Sequence, residues 1–174
     1  MFSAKDEHLG FMKVALAEAE KCTPKQTAFC VGCVLVFRPP LGHPIMLSTG
    51  YSRELEGNTH AEANALAKAF ALSPDDLSAL SIPSTFSDID EVLAHTDAYT
   101  TLEPCSVRLS GLAACADALI AAGVRRCFIG VAEPDDFVQC EGAKKLKEAG
   151  VEVHWVKGIE ADCLRVARRG HPEA

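Results

Sequence analysis

Apolar residues recur through residues 5–21 at mixed three- and four-residue spacings, Leu9, Met12, Val14, Leu16 and Ala19, as in a helix that covers one face of a sheet. The next apolar stretch has no such period. FCVGCVLVF, residues 29–37, is short and β-branched and ends at Pro39-Pro40, which predicts a buried strand. PIMLSTGYS, residues 44–52, follows across RPPLGH and is expected to pair with it as a hairpin. HAEANALAKAF, residues 60–70, is rich in strong helix formers, with Asn58 or Thr59 as the expected N-cap. Residues 71–96 are acidic, rich in Ser and interrupted by Pro74 and Pro83, and read as a surface excursion with one short helix. Beyond them, strands at 97–103, 125–132 and 151–156 alternate with helices at 111–123, 140–150 and 160–169. Strands alternating with helices of about a dozen residues call for a parallel sheet covered on both faces.

Size and composition narrow the picture. At 174 residues with 48% hydrophobic content, one domain spanning 1–174 is expected. Charges are scattered through the first twenty residues, so they read as an amphipathic helix and not a signal peptide, and no segment is apolar for long enough to span a bilayer. The eight cysteines are therefore expected as thiols or metal ligands, in a cytoplasmic protein that could also be nuclear. A net charge of −7 and a pI near 5.3 argue against a nucleic-acid partner, because gripping a polynucleotide backbone takes clustered Lys and Arg. A local pocket for one phosphate is still compatible with that charge, and Arg53, Arg108, Arg125 and Arg126 are available for it.

The chemistry is concentrated in NTHAE, residues 58–62, and TLEPCSVRLSGLAAC, residues 101–115. His60 and Glu62 lie two apart at a helix start, so their side chains diverge instead of stacking as i and i+4 would. That suits a division of labour in which His60 binds a metal and Glu62 handles protons beside it. Cys105 follows a strand and Pro104, at the expected mouth of the next helix, where the dipole and free N–H groups favour thiolate. Cys115 reaches the same ion if residues 106–111 loop out. Three protein ligands leave a fourth tetrahedral position for water, the mark of a catalytic zinc site. Cys30 and Cys33, by contrast, are expected as core packing, since a strand sends alternate residues to opposite faces. Cys22, Cys127, Cys140 and Cys163 read as structural. His95 and His154 lack ligand-spaced partners, and Arg165, Arg168 and Arg169 are expected on the solvated face of the last helix.

An H-x-E followed by a Pro-Cys and a further cysteine is the pattern of zinc nucleobase deaminases, although the two cysteines here are ten residues apart. Together with VGCVLV, EPCSVRLSG, ADALIAAGVRRCFIGVAEP, LKEAGVEV and STGYSRELEGNTHAE, this stretched form resembles the pyrimidine deaminases of riboflavin biosynthesis, a branch of the cytidine-deaminase-like superfamily, and its fungal form most closely. The resemblance runs from about Cys30 to about Val156. It implies a three-layer α/β/α fold with a central mixed five-stranded sheet, Zn2+ held by His60, Cys105 and Cys115, Glu62 as proton shuttle, and a possible homodimer. The implied reaction is deamination at the exocyclic 2-amino group of 2,5-diamino-6-ribitylamino-4(3H)-pyrimidinone 5'-phosphate. Substrate contacts are expected from Arg53, Asn58, Ser106, Arg108, Ser110, Glu133 and Asp135, by their places on flanking loops. Three positions depart from the pattern: Ala28-Phe29-Cys30 in place of Asn-Pro ahead of Val-Gly, Ala114 in place of Pro, and Asn64. The rival readings are a deaminase of cytosine, a nucleoside or tRNA adenosine, and a zinc-bearing scaffold without catalysis. Glu62 tells against the scaffold, because a structural site closes its fourth position with another protein ligand.

Overall fold

The computed structural model describes residues 4–108, 111–134 and 141–171. In chain order the elements are α1 (Ala4–Glu20), β1 (Gly32–Phe37), β2 (Ile45–Tyr51), α2 (Ala61–Phe70), α3 (Pro74–Ala79), α4 (Ile89–Leu93), β3 (Thr96–Leu102), α5 (Cys115–Ala121), β4 (Arg126–Val131), α6 (Gly142–Glu148), β5 (Glu152–Trp155) and α7 (Glu160–Ala167). The sheet order is β2-β1-β3-β4-β5. β1 pairs antiparallel with β2, as the expected hairpin, and antiparallel with β3. β3, β4 and β5 run parallel, in the part of the chain where strands alternate with helices. The sheet is thus mixed and five-stranded.

Alternation along β1 builds both cores. Cys33, Leu35 and Phe37 join Ala61, Ala65 and Ala69 of α2, Ala116 and Leu119 of α5, and Leu146 of α6. Val34 and Val36 face the other way, into Met12 and Ala15 of α1 and Cys163 of α7. Helices therefore cover both faces. Two of them seat on glycines. A Cβ on Gly32 would stand 1.9 Å from the Ala15 carbonyl oxygen, and one on Gly50 would stand 2.3 Å from that of Ala61. Alanines at 15 and 19 on α1, and at 61, 65 and 69 on α2, give these helices the smooth faces such proximity needs.

The segment 71–96 departs from expectation. It holds two helices, α3 and α4, and it closes the core on the α2 side, with Leu77, Ile82, Val92 and Leu93 buried against that layer. Its acidic and Ser residues act as caps: Ser73 and Asp76 form a capping box, and Asp88 accepts from the Glu91 N–H at 2.9 Å. Polar composition there records helix starts, not distance from the core. Arg169 also departs from the solvated position expected of it. Its Nη2 donates to the carbonyls of Glu20 at 2.9 Å and Cys22 at 2.7 Å, closing off the end of α1, while Arg165 is exposed as expected.

At the start of β3 the fully buried Asp97 takes two guanidiniums. Arg38 Nε donates to it at 2.8 Å, and Arg126 donates through Nε at 2.7 Å and Nη2 at 2.6 Å. Arg38 also donates to the Tyr99 hydroxyl at 2.6 Å and pairs with Glu7. Among the described residues no helix is long and apolar enough to cross a membrane.

Candidate metal centre and active site

His60, Cys105 and Cys115 come from three places: the N-cap of α2, the loop after β3 and the first residue of α5. The N-cap of α2 is His60 itself, not Asn58 or Thr59, and its side chain makes no capping bond. The imidazole is turned to the thiols instead, with Nδ1 at 3.6 Å from Cys105 Sγ and 3.4 Å from Cys115 Sγ. Thr59 is engaged elsewhere: its hydroxyl donates to the Leu55 carbonyl at 3.2 Å and accepts from Asn64 Nδ2 at 3.0 Å. Asn64 Nδ2 lies 2.8 Å from the Tyr51 carbonyl as well, so this residue ties the 52–59 loop to α2.

α5 starts later than the sequence suggests, at Cys115, after Gly111 at φ 77° and an extended Ala114. Cys105 stands ahead of that helix, as expected, and receives its leading N–H: Cys115 N donates to Cys105 Sγ at 3.3 Å. Among the protein groups alone, Cys105 is the thiolate of the pair. The Cys115 thiol donating to it, with His60 and that N–H adding, brings it down to about 4 against its burial. The Cys115 thiol is pushed up, first by its bond to Cys105 and then by burial, and His60 is raised first by its bond to Cys105.

The three ligand atoms lie within 4.8 Å of one another. Nitrogen and sulfur at about 2.1 and 2.3 Å from one tetrahedral ion stand about 3.6 Å apart. The observed 3.4 and 3.6 Å match that edge, and one imidazole with two sulfurs is a donor set suited to zinc. The cluster can hold a zinc ion. Glu62, on the first turn of α2, is not in this donor group, and only 3% of it is exposed. Burial, and then the charge of Cys105, raise its carboxyl above the ordinary value. Thr100, which sequence reasoning passed over, approaches Glu62 Oε1 at 3.0 Å. Its one signal is a hydroxyl two places after Ala98 on the strand face that meets α2.

The other candidates disperse. Arg108 donates to the Asn58 carbonyl and so bridges the two loops that carry His60 and Cys105; its Nε is buried with no hydrogen-bond partner among the described residues. The Ser106 hydroxyl accepts from the Glu141 N–H at 3.2 Å. Arg53 is committed to the 22–30 segment, donating to Cys22 Sγ at 2.8 Å, the Thr23 carbonyl at 2.9 Å and the Phe29 carbonyl at 3.3 Å. Arg126 is at the far end of the sheet with Asp97, and Arg125 is exposed there too. Glu133 is half-buried beyond β4, while Ser110, Asp135 and Cys140 lie outside the described residues. Cys33, Cys127 and Cys163 are buried in the two cores, and Cys30 packs with Ala19, Cys22 and Val166.

Gly50 governs where α2 sits. Its absent Cβ would meet Ala61 O at 2.3 Å and Ala65 N at 2.6 Å, both backbone atoms that cannot rotate away. Gly50→Ala pushes the first turn of α2, and His60 and Glu62 with it, off the sheet. Overpacking of this kind costs about 1–3 kcal/mol, and a misplacement of about 1 Å costs roughly 10²-fold in rate. Zinc titration and turnover of the folded variant check this; normal values for both would show that α2 moves without carrying the site.

A family model described as "Cytidine and deoxycytidylate deaminase zinc-binding region" matches residues 5–131. The diaminohydroxyphosphoribosylamino-pyrimidine deaminase of Schizosaccharomyces pombe is 41% identical over 165 residues, 95% of this chain and 36% of that protein. The riboflavin biosynthesis protein RibD of Escherichia coli is 33% identical over 135 residues, 77% of this chain and 29% of that protein. The chain thus spans about a third of the length of these curated relatives. A crystal structure of Aspergillus oryzae Rib2 deaminase, a C-terminal deletion mutant, superposes with a TM-score of 0.74 at 34% identity, covering 94% of this chain and 92% of that one. The same deaminase in complex with DARIPP gives the same TM-score of 0.74.

Proposed function

From the chain's membership of the cytidine and deoxycytidylate deaminase zinc-binding family, to which it belongs, we propose that it deaminates 2,5-diamino-6-ribitylamino-4(3H)-pyrimidinone 5'-phosphate hydrolytically in riboflavin biosynthesis, releasing ammonia. The observation that carries the reaction is a buried carboxylate, Glu62, two residues from His60 in a cluster with two cysteine sulfurs. Likeness to the S. pombe deaminase, whose name specifies a phosphoribosylamino-pyrimidine, and to an A. oryzae deaminase solved with DARIPP supports a phosphorylated pyrimidine substrate, with the ribitylamino form as our choice over the ribosylamino one.

His60 Nδ1, Cys105 Sγ and Cys115 Sγ would hold the zinc. When bound, the ion supplies Lewis acidity that brings the pKa of a water from about 15.7 towards roughly 7. Glu62 takes the proton of the attacking water on its carboxylate. It delivers that proton to the ring nitrogen as the C–O bond forms at the amidine carbon, then takes the second proton from the new hydroxyl and gives it to the amine, so that C=O formation is matched by C–N cleavage and loss of ammonia. Its burial keeps bulk water from exchanging that proton. Arg108, which bridges the loops that carry His60 and Cys105 through the Asn58 carbonyl, is the residue we assign to the substrate phosphate.

Ammonia release by zinc-quantified protein tests the reading, with the phosphorylated ribitylamino- and ribosylamino-diaminopyrimidinones set beside cytidine, cytosine and guanine. Turnover of the ribitylamino compound is expected. Turnover of only the ribosylamino compound would reverse the order of reduction and deamination. Activity confined to the unphosphorylated compounds would keep the chemistry and overturn the substrate. Zinc-loaded protein silent on all five would leave the scaffold reading standing.

A further inference from the structure

We propose that Thr100 is the positioning residue of Glu62, holding one carboxylate oxygen so that the other is presented to the reacting atoms. This rests on the role given to Glu62 above. The Thr100 hydroxyl lies 3.0 Å from Glu62 Oε1 and also 3.0 Å from the Leu102 carbonyl oxygen. With a carboxylate on one side and a carbonyl on the other, that hydroxyl can donate to Glu62, or accept from it while donating to Leu102. It is a partner in either case.

The placement comes from backbone, not from an adjustable side chain. Thr100 is fully buried in β3, paired with Cys33 of β1 on one side and Ile129 of β4 on the other. A β-branched residue there has few χ1 choices, so once the strand is fixed the hydroxyl is fixed. Glu62 differs in this respect. It reaches inward from the first turn of α2, and the last torsion of a Glu side chain is broad and two-fold, set only by what its oxygens touch. The buried thiols of Cys33 and Cys127, whose charge couples to Glu62, are both pushed up by burial and stay neutral. Thr100 therefore brings a hydroxyl fixed by β3 to a carboxyl whose own last torsion is free.

The test compares kcat, KM, zinc stoichiometry and thermal midpoint for Thr100→Val, Thr100→Ser and Glu62→Gln. Thr100→Val keeps the shape and removes the hydroxyl; Thr100→Ala serves the same comparison if the valine variant does not fold. The expected result is a kcat lower by roughly 10–100-fold, with KM and zinc content within about twofold of the parent, as for a misaimed reacting group. Thr100→Ser recovers kcat to within about threefold. In a Glu62→Gln background, Thr100→Val lowers kcat no further, because the two residues act as one unit. Parent-like kcat in Thr100→Val, a serine variant no better than valine, or loss of zinc as the main effect overturns the proposal. If Glu62→Gln itself turns over at the parent rate, the assignment of Glu62 has failed and not the contact between the two residues.

Discussion

Glu62→Gln lowers kcat by about 10²–10⁴-fold, the usual contribution of a positioned acid–base group, and leaves the zinc-to-protein ratio as it was. The two halves of that result come from different parts of the structure. The metal donors are one imidazole nitrogen and two sulfurs, and Glu62 is not among them, so converting it to an amide removes no ligand. Glutamine also keeps the volume of a side chain that is only 3% exposed and keeps an oxygen for the Thr100 hydroxyl at 3.0 Å, so packing changes little. What disappears is an oxygen basic enough to take a proton. Turnover and metal analysis on one preparation check the pair of claims. A variant that loses zinc would make Glu62 a ligand, and one that keeps its kcat would remove it from the chemistry.

Asp97→Ala has the larger effect on folding. The carboxylate is fully buried between Arg38 and Arg126, whose side chains are 15% and 22% exposed, and no other described residue pairs with both. Truncation leaves two guanidiniums facing one another in a half-dry site, and breaking a buried pair from one side costs about 3–5 kcal/mol. An exposed pair such as Lys144 with Glu141 is worth about 0–1 kcal/mol by comparison. For a chain of this size the loss is roughly 6–20 °C in thermal midpoint. Calorimetry measures it, and Asp97→Asn, which keeps acceptor oxygen, falls between. Asp97 stands five residues, roughly 16 Å of strand, from the end of β3 that leads to Cys105, so the folded fraction retains its kcat. A midpoint within about 2 °C of the parent would mean that the two arginines find other partners.

The contrast between these residues shows what a sequence can carry. His60, Glu62 and Cys105 stand in short stretches where residue type and local spacing state the chemistry, and β1, β2 and the alternating second half announce themselves by period. Cys115 needed the added assumption that 106–111 loop out. Harder to see were choices made across the fold. Nothing near Arg53 signals that its guanidinium is taken up by Cys22 and two carbonyls, and nothing near Arg126 signals Asp97, 29 residues earlier. The N-cap of α2 went to His60 because its ring is drawn to sulfurs 45 and 55 residues away, leaving the stronger capping residues outside the helix. Thr100 looked like an ordinary strand threonine until α2 was laid over it. In segment 71–96, side chains that favour helix starts were read as signs of exposure.

The two glycines of the first hairpin carry one more consequence. Gly32 and Gly50 lie on adjacent rungs of β1 and β2 and receive α1 and α2 from opposite faces, with helix backbone where their side chains would be. The sandwich is thinnest there, held by main chain against main chain, and the same α2 begins with His60. Such a joint has no slack through which one layer could lift without the other. Its amides are expected to exchange with global unfolding and not by local breathing, which native-state hydrogen exchange would check. Of the three metal ligands His60 begins the helix seated on this joint, while Cys105 and Cys115 come to it from the loop after β3 and the start of α5, so the joint sets the one ligand to which the other two are brought.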